Sequence, residues 1–130
     1  MDELTADAAV ILGGWDARYA VTLAVASSGD VAAALVDTNG DGADIDLDQY
    51  ERDAAGRWNE IGSSSAGDAG SSWSPRLTAA WGRAHPLASV EIEYLGSRSR
   101  VVASPTGWWL FVAAATSNHR ALPGVIAPLS

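Results

Sequence analysis

Hydrophobic residues near the start of the chain recur at the spacing of an α-helix. Four of them stand three or four positions apart: Leu4, Ala8, Ile11 and Trp15. Two consecutive glycines, Gly13 and Gly14, would end such a helix. The pattern predicts one short amphipathic helix over residues 3–12, which is too short to be stable without tertiary contacts.

From residue 18 onward, apolar residues alternate with polar or small ones, which is the period of a β-strand. The alternation predicts strands over residues 19–25, 31–36, 45–52, 57–61, 77–82, 89–95, 98–103 and 108–114. Many short strands at nearly even spacing are typical of an antiparallel sandwich or barrel. We therefore predict a single, mainly β domain over residues 1–130. Its expected form is an antiparallel β-sandwich or flattened barrel of about seven to eight strands with one short N-terminal helix.

The strand over residues 108–112 differs from the others because it is apolar on both faces. Its sequence is Trp-Trp-Leu-Phe-Val, so both of its sides need to be covered. We expect one face to meet the sandwich core and the other to pack against the N-terminal helix. In that arrangement Trp108 or Trp109 contacts one of three helix residues: Leu4, Ala8 or Ile11.

Two segments lack any apolar periodicity. Residues 62–72 consist of glycine, serine, alanine and a single aspartate, which predicts a flexible surface loop. Residues 116–130 contain Pro123 and Pro128 and show no strand pattern. For this second segment we predict a loosely held tail.

The segment from Asp37 to Asp48 has the spacing of a calcium-binding loop. An EF-hand-type loop takes side-chain oxygens from positions 1, 3, 5 and 12 and has glycine at position 6. Gly42 stands at the glycine position, and four residues would supply oxygens to Ca²⁺: Asp37, Asn39, Asp41 and Asp48. Two departures weaken the match. Position 8 is Asp44 instead of an apolar residue, and position 12 is the shorter aspartate instead of glutamate.

The same segment is also typical of a tight turn followed by a half-exposed strand. Asn39-Gly40 is a strong signal for a two-residue hairpin turn. Three acidic residues then alternate with apolar ones: Asp44, Asp46 and Asp48. Acidic side chains on an edge strand also discourage pairing between sheet edges. We favour this explanation because it needs no ligand, and we keep Ca²⁺ binding as the alternative.

Charge narrows the range of partners. The chain has 16 acidic and 8 basic residues, with a formal net charge of −8. Such a chain repels polyanions, so we expect no nucleic acid and no membrane surface as a partner, but a basic protein or a cation. No apolar run approaches the length that spans a bilayer. The absence of cysteine and an acidic start without a signal-like segment favour the cytoplasm.

Catalytic motifs are missing from the sequence, whereas tryptophan is abundant. Neither His85 nor His119 belongs to a recognisable nucleophile–base or metal motif, so we expect no enzyme. Of the six tryptophans, Trp58 and Trp73 flank the Gly/Ser-rich segment and are expected to be partly exposed. Exposed aromatic residues beside carboxylates suit protein recognition. The predicted interaction surface consists of Trp58, Trp73, Asp44 and Asp46.

Residues 50–58, 63–64, 73–74, 90–94 and 105–112 form strand and turn motifs. In these motifs, over roughly half of its length, the chain resembles small, uncharacterised β-rich actinobacterial proteins. The resemblance implies a β-rich domain without a known activity, and it supplies no catalytic residue.

The sequence therefore predicts a non-enzymatic cytosolic interaction module with an acidic face. The first alternative is a Ca²⁺-binding domain that uses the segment from Asp37 to Asp48. The second is a neutraliser of a basic partner, as toxin-immunity proteins are, by analogy of charge alone.

Overall fold

The computed structural model describes residues 4–114 and the backbone of residues 124–129. One helix, α1 (Ala6–Leu12), precedes the strands. The strands are β1 (Val21–Ser28), β2 (Val31–Asp37), β3 (Ile45–Arg52), β4 (Trp58–Ser65), β5 (Gly70–Trp73), β6 (Leu77–Arg83), β7 (Ser89–Tyr94), β8 (Ser97–Val102), β9 (Trp108–Ala114) and β10 (Gly124–Leu129).

The strands form three open antiparallel sheets. The front sheet has the order β1-β2-β3-β4, the middle sheet β5-β6-β9 and the back sheet β10-β7-β8. The prediction of a mainly antiparallel β fold with one short N-terminal helix is confirmed, and the sandwich is the form it takes. The described part of the chain holds more strands than predicted, because β5 and β10 lie in segments that were expected to be irregular.

The main core lies between the front and middle sheets. Alternate residues of β2 and β3, including Leu35 and Leu47, meet alternate residues of the middle sheet, including Leu77, Trp81 and Leu110. Leu35, Leu47 and Leu77 are fully buried. The period of two along each strand therefore sends one apolar row into this core, as the alternation predicted.

A second core lies between the middle and back sheets. Here the other face of β9, with Trp109 and Phe111, packs against Val90 and Ile92 of β7. The expectation that the N-terminal helix covers this face of β9 was therefore wrong. The hairpin of β7 and β8 supplies an apolar sheet face instead. This face is wide enough to cover both Trp109 and Phe111, whereas a two-turn helix is narrower.

The helix instead covers the outer face of the front sheet, the face turned away from the middle sheet. It packs on small β2 residues, Ala32 and Ala34, and on Tyr50 of β3. The Tyr50 hydroxyl is buried and donates a hydrogen bond to the Ala9 carbonyl at 3.1 Å. Because the helix covers one face of β2 and the middle sheet covers the other, every residue of β2 is buried.

The boundaries and the buried stripe of the helix differ from the prediction. Thr5 caps the helix, since its side-chain oxygen accepts a hydrogen bond from the Ala8 N–H at 3.1 Å. Ala9 and Val10 are the buried helical residues, whereas Ile11 is 72% exposed. Ile11 was thus wrongly placed on the buried stripe, because two turns can present only a narrow face to the sheet.

The predicted loop over residues 62–72 was wrong for most of its length. β4 runs to Ser65 and β5 begins at Gly70, so only residues 66–69 connect them. Ala66 is buried, and its carbonyl accepts a hydrogen bond from the Trp81 indole at 3.1 Å. A Cβ on Gly70 would lie 2.8 Å from the Trp81 ring. Ala66 and Gly70 thus pack against Trp81 of another strand, which composition alone does not reveal.

The predicted tail over residues 116–130 falls largely outside the described residues, which omit 115–123 and 130. Residues 124–129 form β10, which pairs with β7, so the prediction of a tail without a strand was wrong there. Pro128 is compatible with this strand because β10 lies at a sheet edge, where one side of the backbone needs no partner.

We expect Tyr50→Phe to destabilise the protein by about 1 kcal/mol, because the change removes one buried hydrogen bond between the helix and the front sheet. For a domain of this size the melting temperature should fall by roughly 3–5 °C in calorimetry. Tyr19→Phe is the matched control, since Tyr19 is 56% exposed and should tolerate the change. Equal shifts in the two variants would contradict the role of Tyr50 in fastening the helix.

Candidate functional site

The segment that resembles a calcium loop connects β2 and β3 through residues 38–44. Asp37 organises this connection from within, because its two carboxylate oxygens accept hydrogen bonds from the N–H groups of Gly40 at 3.0 Å and Gly42 at 2.8 Å. Both glycines have positive φ angles, 72° and 78°, which glycine adopts without strain. The Asp37 carboxylate is buried and holds the loop closed.

The other polar residues of the loop are also bonded within it. The Asn39 side-chain amide donates to Asp44 at 3.2 Å, and the Asp41 carboxylate accepts from the Ala43 N–H at 3.0 Å. Asp41 and Asp44 are exposed. These contacts explain the asparagine and the aspartates as loop-stabilising residues.

The four predicted calcium ligands do not converge. Asp37 pairs with Ile45, whereas Asp48 pairs with Ala34, three residues further along the strand. At the rise of a β-strand this is a separation of roughly 10 Å. Among the described residues, no group of three or more histidines, aspartates or glutamates could hold a metal ion. The geometry therefore gives the calcium alternative no support.

The favoured explanation of the same segment also needs correction. β2 and β3 are antiparallel neighbours, so the segment does form a hairpin. However, its connection spans residues 38–44 rather than the two residues Asn39-Gly40. β3 is also an interior strand of the front sheet, between β2 and β4, so its aspartates do not protect a sheet edge.

The aspartates of β3 instead lie on the outer face of the front sheet. Ile45 and Leu47 point into the main core, so Asp46 and Asp48 point the other way. Glu60 on β4 pairs with Tyr50, which belongs to the same outer face. We call Asp46, Asp48 and Glu60 the acidic face.

Asp48 is fully buried, and two neutral donors hold its carboxylate. The Trp15 indole N–H donates to it at 2.6 Å, and the Ser63 hydroxyl lies 2.8 Å away. The same hydroxyl lies 2.9 Å from the Asp46 carboxylate. Because a hydroxyl has a single hydrogen, Ser63 can donate to only one of these carboxylates at a time. Its two acidic neighbours therefore compete for one proton.

The helix reaches the acidic face at its C-terminal end, which explains Gly13. A Cβ on Gly13 would lie 2.9 Å from a carboxylate oxygen of Asp48 and 2.7 Å from the Trp15 indole nitrogen. A larger residue would push the helix end away from the sheet. Gly13 therefore allows Trp15 to fold over Asp48.

All the charges that shift pKa values on the acidic face are negative. Burial raises the pKa of Asp48, hydrogen bonds from Trp15 and Ser63 oppose this shift, and the charge of Asp46 adds to it. The pKa of Glu60 is raised by burial and then by the charges of Asp48 and Asp46. Burial also raises the pKa of Tyr50, with further contributions from Asp48 and Glu60. No arginine contributes to any of these shifts among the described residues.

Four arginines of the described chain form ion pairs with other carboxylates. In the described part of the chain the recorded pairs are Arg18–Asp16, Arg52–Asp30, Arg76–Glu51, Arg98–Glu91 and Arg98–Glu93. None of these pairs includes a residue of the acidic face.

The predicted interaction surface is only partly assembled. Trp58 is half-buried against the apolar residues between the helix and the front sheet, and the Arg52 guanidinium lies 4.8 Å from its ring. Asp46 lies on the same outer face. Asp44 ends the loop that leads into β3. Trp73 belongs to β5 of the middle sheet, so it does not extend this face along the front sheet.

Three residues of the site were missed by sequence reasoning: Trp15, Glu60 and Ser63. Trp15 was assigned to a helical stripe, although its indole bonds to a strand residue 33 positions away. Glu60 and Ser63 share the outer face only because a bulge shifts the register of β4 between them. Residues on one face of a regular strand are an even number of positions apart, and Glu60 and Ser63 are three apart. The sequence therefore gives no signal that they share a face.

A cleft elsewhere on the protein has a different character. Its volume is about 490 Å³, and its described lining includes Arg83, His85 and Thr106. The Arg83 guanidinium lies 5.0 Å from the Trp108 ring, and the Thr106 hydroxyl donates to the Leu23 carbonyl at 2.7 Å. The Arg83 guanidinium and the Thr106 hydroxyl therefore help to hold β9 and β1 in place.

No helix in the described residues is long and apolar enough to cross a membrane.

Comparison with known proteins found no matching family model, no matching curated protein and no matching solved structure. The resemblance to small actinobacterial proteins accordingly stays a prediction. The functional argument rests on the geometry and electrostatics of this chain.

We expect Asp48→Asn to flatten the pH dependence of stability. Between the unfolded and the raised folded pKa of Asp48, the folded protein binds a proton that the unfolded chain releases, so stability rises as the pH falls through that window. Asparagine keeps an oxygen for the Trp15 indole and carries no charge to bury. The variant should melt higher than wild type at pH 7, and the difference should shrink as the pH approaches 4.

Asp53→Asn is a control of opposite sign. The backbone N–H of Arg57, the side chain of Asn59 and the N–H of Ala55 hold the pKa of Asp53 below its usual value. This variant should lose stability at pH 7 and approach wild type at low pH. Parallel melting curves for wild type and Asp48→Asn from pH 7 to 4 would contradict the raised pKa of Asp48.

A calcium titration distinguishes the loop described above from a cation site. Because the predicted ligands do not converge, millimolar Ca²⁺ should shift the melting temperature by about 1 °C, and Mg²⁺ should do the same by screening. Asp41→Ala should leave that response unchanged. A Ca²⁺-specific rise of roughly 10 °C, lost in Asp41→Ala, would overturn this conclusion.

Proposed function

We propose that this protein is a non-enzymatic interaction module that binds a basic protein through its acidic face. One observation carries the proposal: Asp46, Asp48 and Glu60 lie together on the outer face, and none of the ion pairs named above includes them. The raised pKa values of Asp48 and Glu60 agree with this crowding of negative charge. A cation supplied by a partner would relieve this repulsion. The reduction in electrostatic repulsion between the carboxylates would then contribute to the free energy of binding.

The surroundings of the acidic face suit arginine as the partner's contact residue. Trp15 is half-buried beside Asp48, and Trp58 lies half-buried on the same outer face. A guanidinium can stack on an aromatic ring while it hydrogen-bonds to a carboxylate. The contact of Arg52 with the Trp58 ring shows this stacking within the chain itself.

Net charge supports the same class of partner. At −8 the protein attracts basic proteins over a distance and repels nucleic acid and anionic lipid. Binding should therefore weaken as salt is added. An immunity-type protein that neutralises a basic toxin would use such a face, and it is one form of the same proposal. The cytoplasm as its compartment stays a prediction from the sequence.

Affinity capture with two double variants tests the proposal. Asp46→Asn with Glu60→Gln removes two charges of the acidic face and leaves the buried Asp48 in place. Glu91→Gln with Glu93→Gln removes the same number of charges from β7 in the back sheet. Wild type and the β7 variant should capture the same basic protein from a cytosolic extract, and the acidic-face variant should bind it about tenfold more weakly in titration.

Equal losses in the two double variants would mean that net charge, rather than the acidic face, drives binding. Capture of only acidic or neutral proteins by wild type would also overturn the proposal.

A further inference from the structure

The front sheet has one covered edge and one open edge. At the β1 edge, the Leu23 carbonyl accepts hydrogen bonds from the hydroxyls of Ser104 at 2.6 Å and Thr106 at 2.7 Å. At the opposite edge, β4 pairs with β3 alone in the described residues. The side chains of β4 are also exposed along most of its length from Asn59 to Ser65. The two edges thus differ in how accessible they are to another strand.

The pairing of β3 with β4 shows which backbone groups face outward. The Ala66 N–H donates to the Ile45 carbonyl at 2.8 Å, just past the end of β4. In an antiparallel pair, hydrogen-bonded and non-hydrogen-bonded positions alternate along the strand. Ser65 and Ser63 therefore direct their N–H and C=O groups away from β3, toward the open edge. An unpaired row of this kind is a template for a further strand.

The open edge adjoins the acidic face. The Ser63 hydroxyl contacts Asp46 and Asp48, so its side chain lies on the outer face. A strand added beside β4 would lie about 4.8 Å from it and about twice that distance from β3. Every second side chain of the added strand would lie on the outer face. Since Ser63 and Ser65 are small, a long arginine or lysine side chain can extend across them to the carboxylates.

We propose that the open edge of β4 binds an extended segment of the basic partner as a fifth strand of the front sheet, with arginine or lysine at every second position over the acidic face. This inference rests on the proposed function and specifies how the partner binds. Main-chain hydrogen bonds to β4 provide affinity, and the acidic face selects the charge and register of the segment.

A second copy of this chain is a poor occupant of the same edge. Pairing β4 with another β4 would place Glu60 and the aspartates of one outer face near those of the other, without a cation between them. The stretch from Asn59 to Ser65 contains no basic residue. Like charges across a strand pair are destabilising.

Three peptides of equal charge test the strand addition. The probe is a ten-residue peptide that alternates arginine and threonine, and its two relatives are N-methylated at all arginines or at all threonines. Successive backbone N–H groups in a strand point to opposite sides, so only one of the two methylated sets faces β4. In isothermal titration, one methylated peptide should bind about tenfold more weakly than the probe, and the other should bind like it.

Proline substitutions test the edge on the protein side. Ser65→Pro removes an N–H that faces the open edge and leaves the pairing with β3 in place. Val102→Pro is the matched control on β8, where the Ala103 N–H donates to Ala88 and directs the Val102 N–H outward by the same alternation. Ser65→Pro should weaken binding of the probe about tenfold, and Val102→Pro should not. Circular dichroism confirms that each variant is folded, and the methylated peptides decide the question with wild type alone.

The outcomes separate the two proposals. Equal binding of all three peptides would overturn strand addition and leave charge recognition by the acidic face intact. Failure of the probe to bind at low salt would overturn both. A wild-type dimer that Ser65→Pro converts to a monomer would show that a second copy occupies the edge and would overturn the inference.

Discussion

Two strands with no polar face determine how the layers of this protein are arranged. β2 and β9 are apolar on both sides, and an apolar face left in water costs roughly 25 cal/mol for each Å². Each strand therefore needs a covering layer on either side. Packing of the front sheet on the middle sheet covers one face of β2 and one face of β9. The back sheet covers the second face of β9, and the helix covers the second face of β2.

The acidic face is a consequence of how little the helix can cover. A helix from Ala6 to Leu12 is about 10 Å long and spans only part of a four-stranded sheet. Under the helix, the outer face is built from alanines of β2 and from Tyr50. Beyond the helix end it continues into Asp46, Asp48 and Glu60. The boundary falls at Trp15, whose indole closes over Asp48 and supplies its hydrogen bond.

A carboxylate that is buried beside other carboxylates is costly for the fold, and hydrogen bonds from neutral groups offset only part of that cost. Such an arrangement is compatible with a stable protein when the rest of the core is well packed. A cation placed beside these carboxylates would offset part of that cost. The combination of this charge with an accessible strand edge distinguishes the β4 side of the molecule from the β1 side, where hydroxyl groups already satisfy the Leu23 carbonyl.

The sequence by itself determined the class of fold, most strand positions and the hairpin character of the acidic segment, because these depend on local alternation and turn residues. It also indicated that residues 108–112 are covered on both faces. It did not reveal what covers them. Both β7 and the helix have an apolar side, so the sequence alone cannot tell which of the two packs against β9. Residues 62–72 were misjudged for a related reason: glycine and serine carry no packing signal of their own, and the Trp81 ring that covers Gly70 lies on another strand. Asp48 shows the limit most clearly, because its spacing suits a calcium loop equally well. Only the tertiary structure places that carboxylate apart from the loop and buries it on the outer face. It does so by pairing β3 between β2 and β4 and by bringing Trp15 against Asp48.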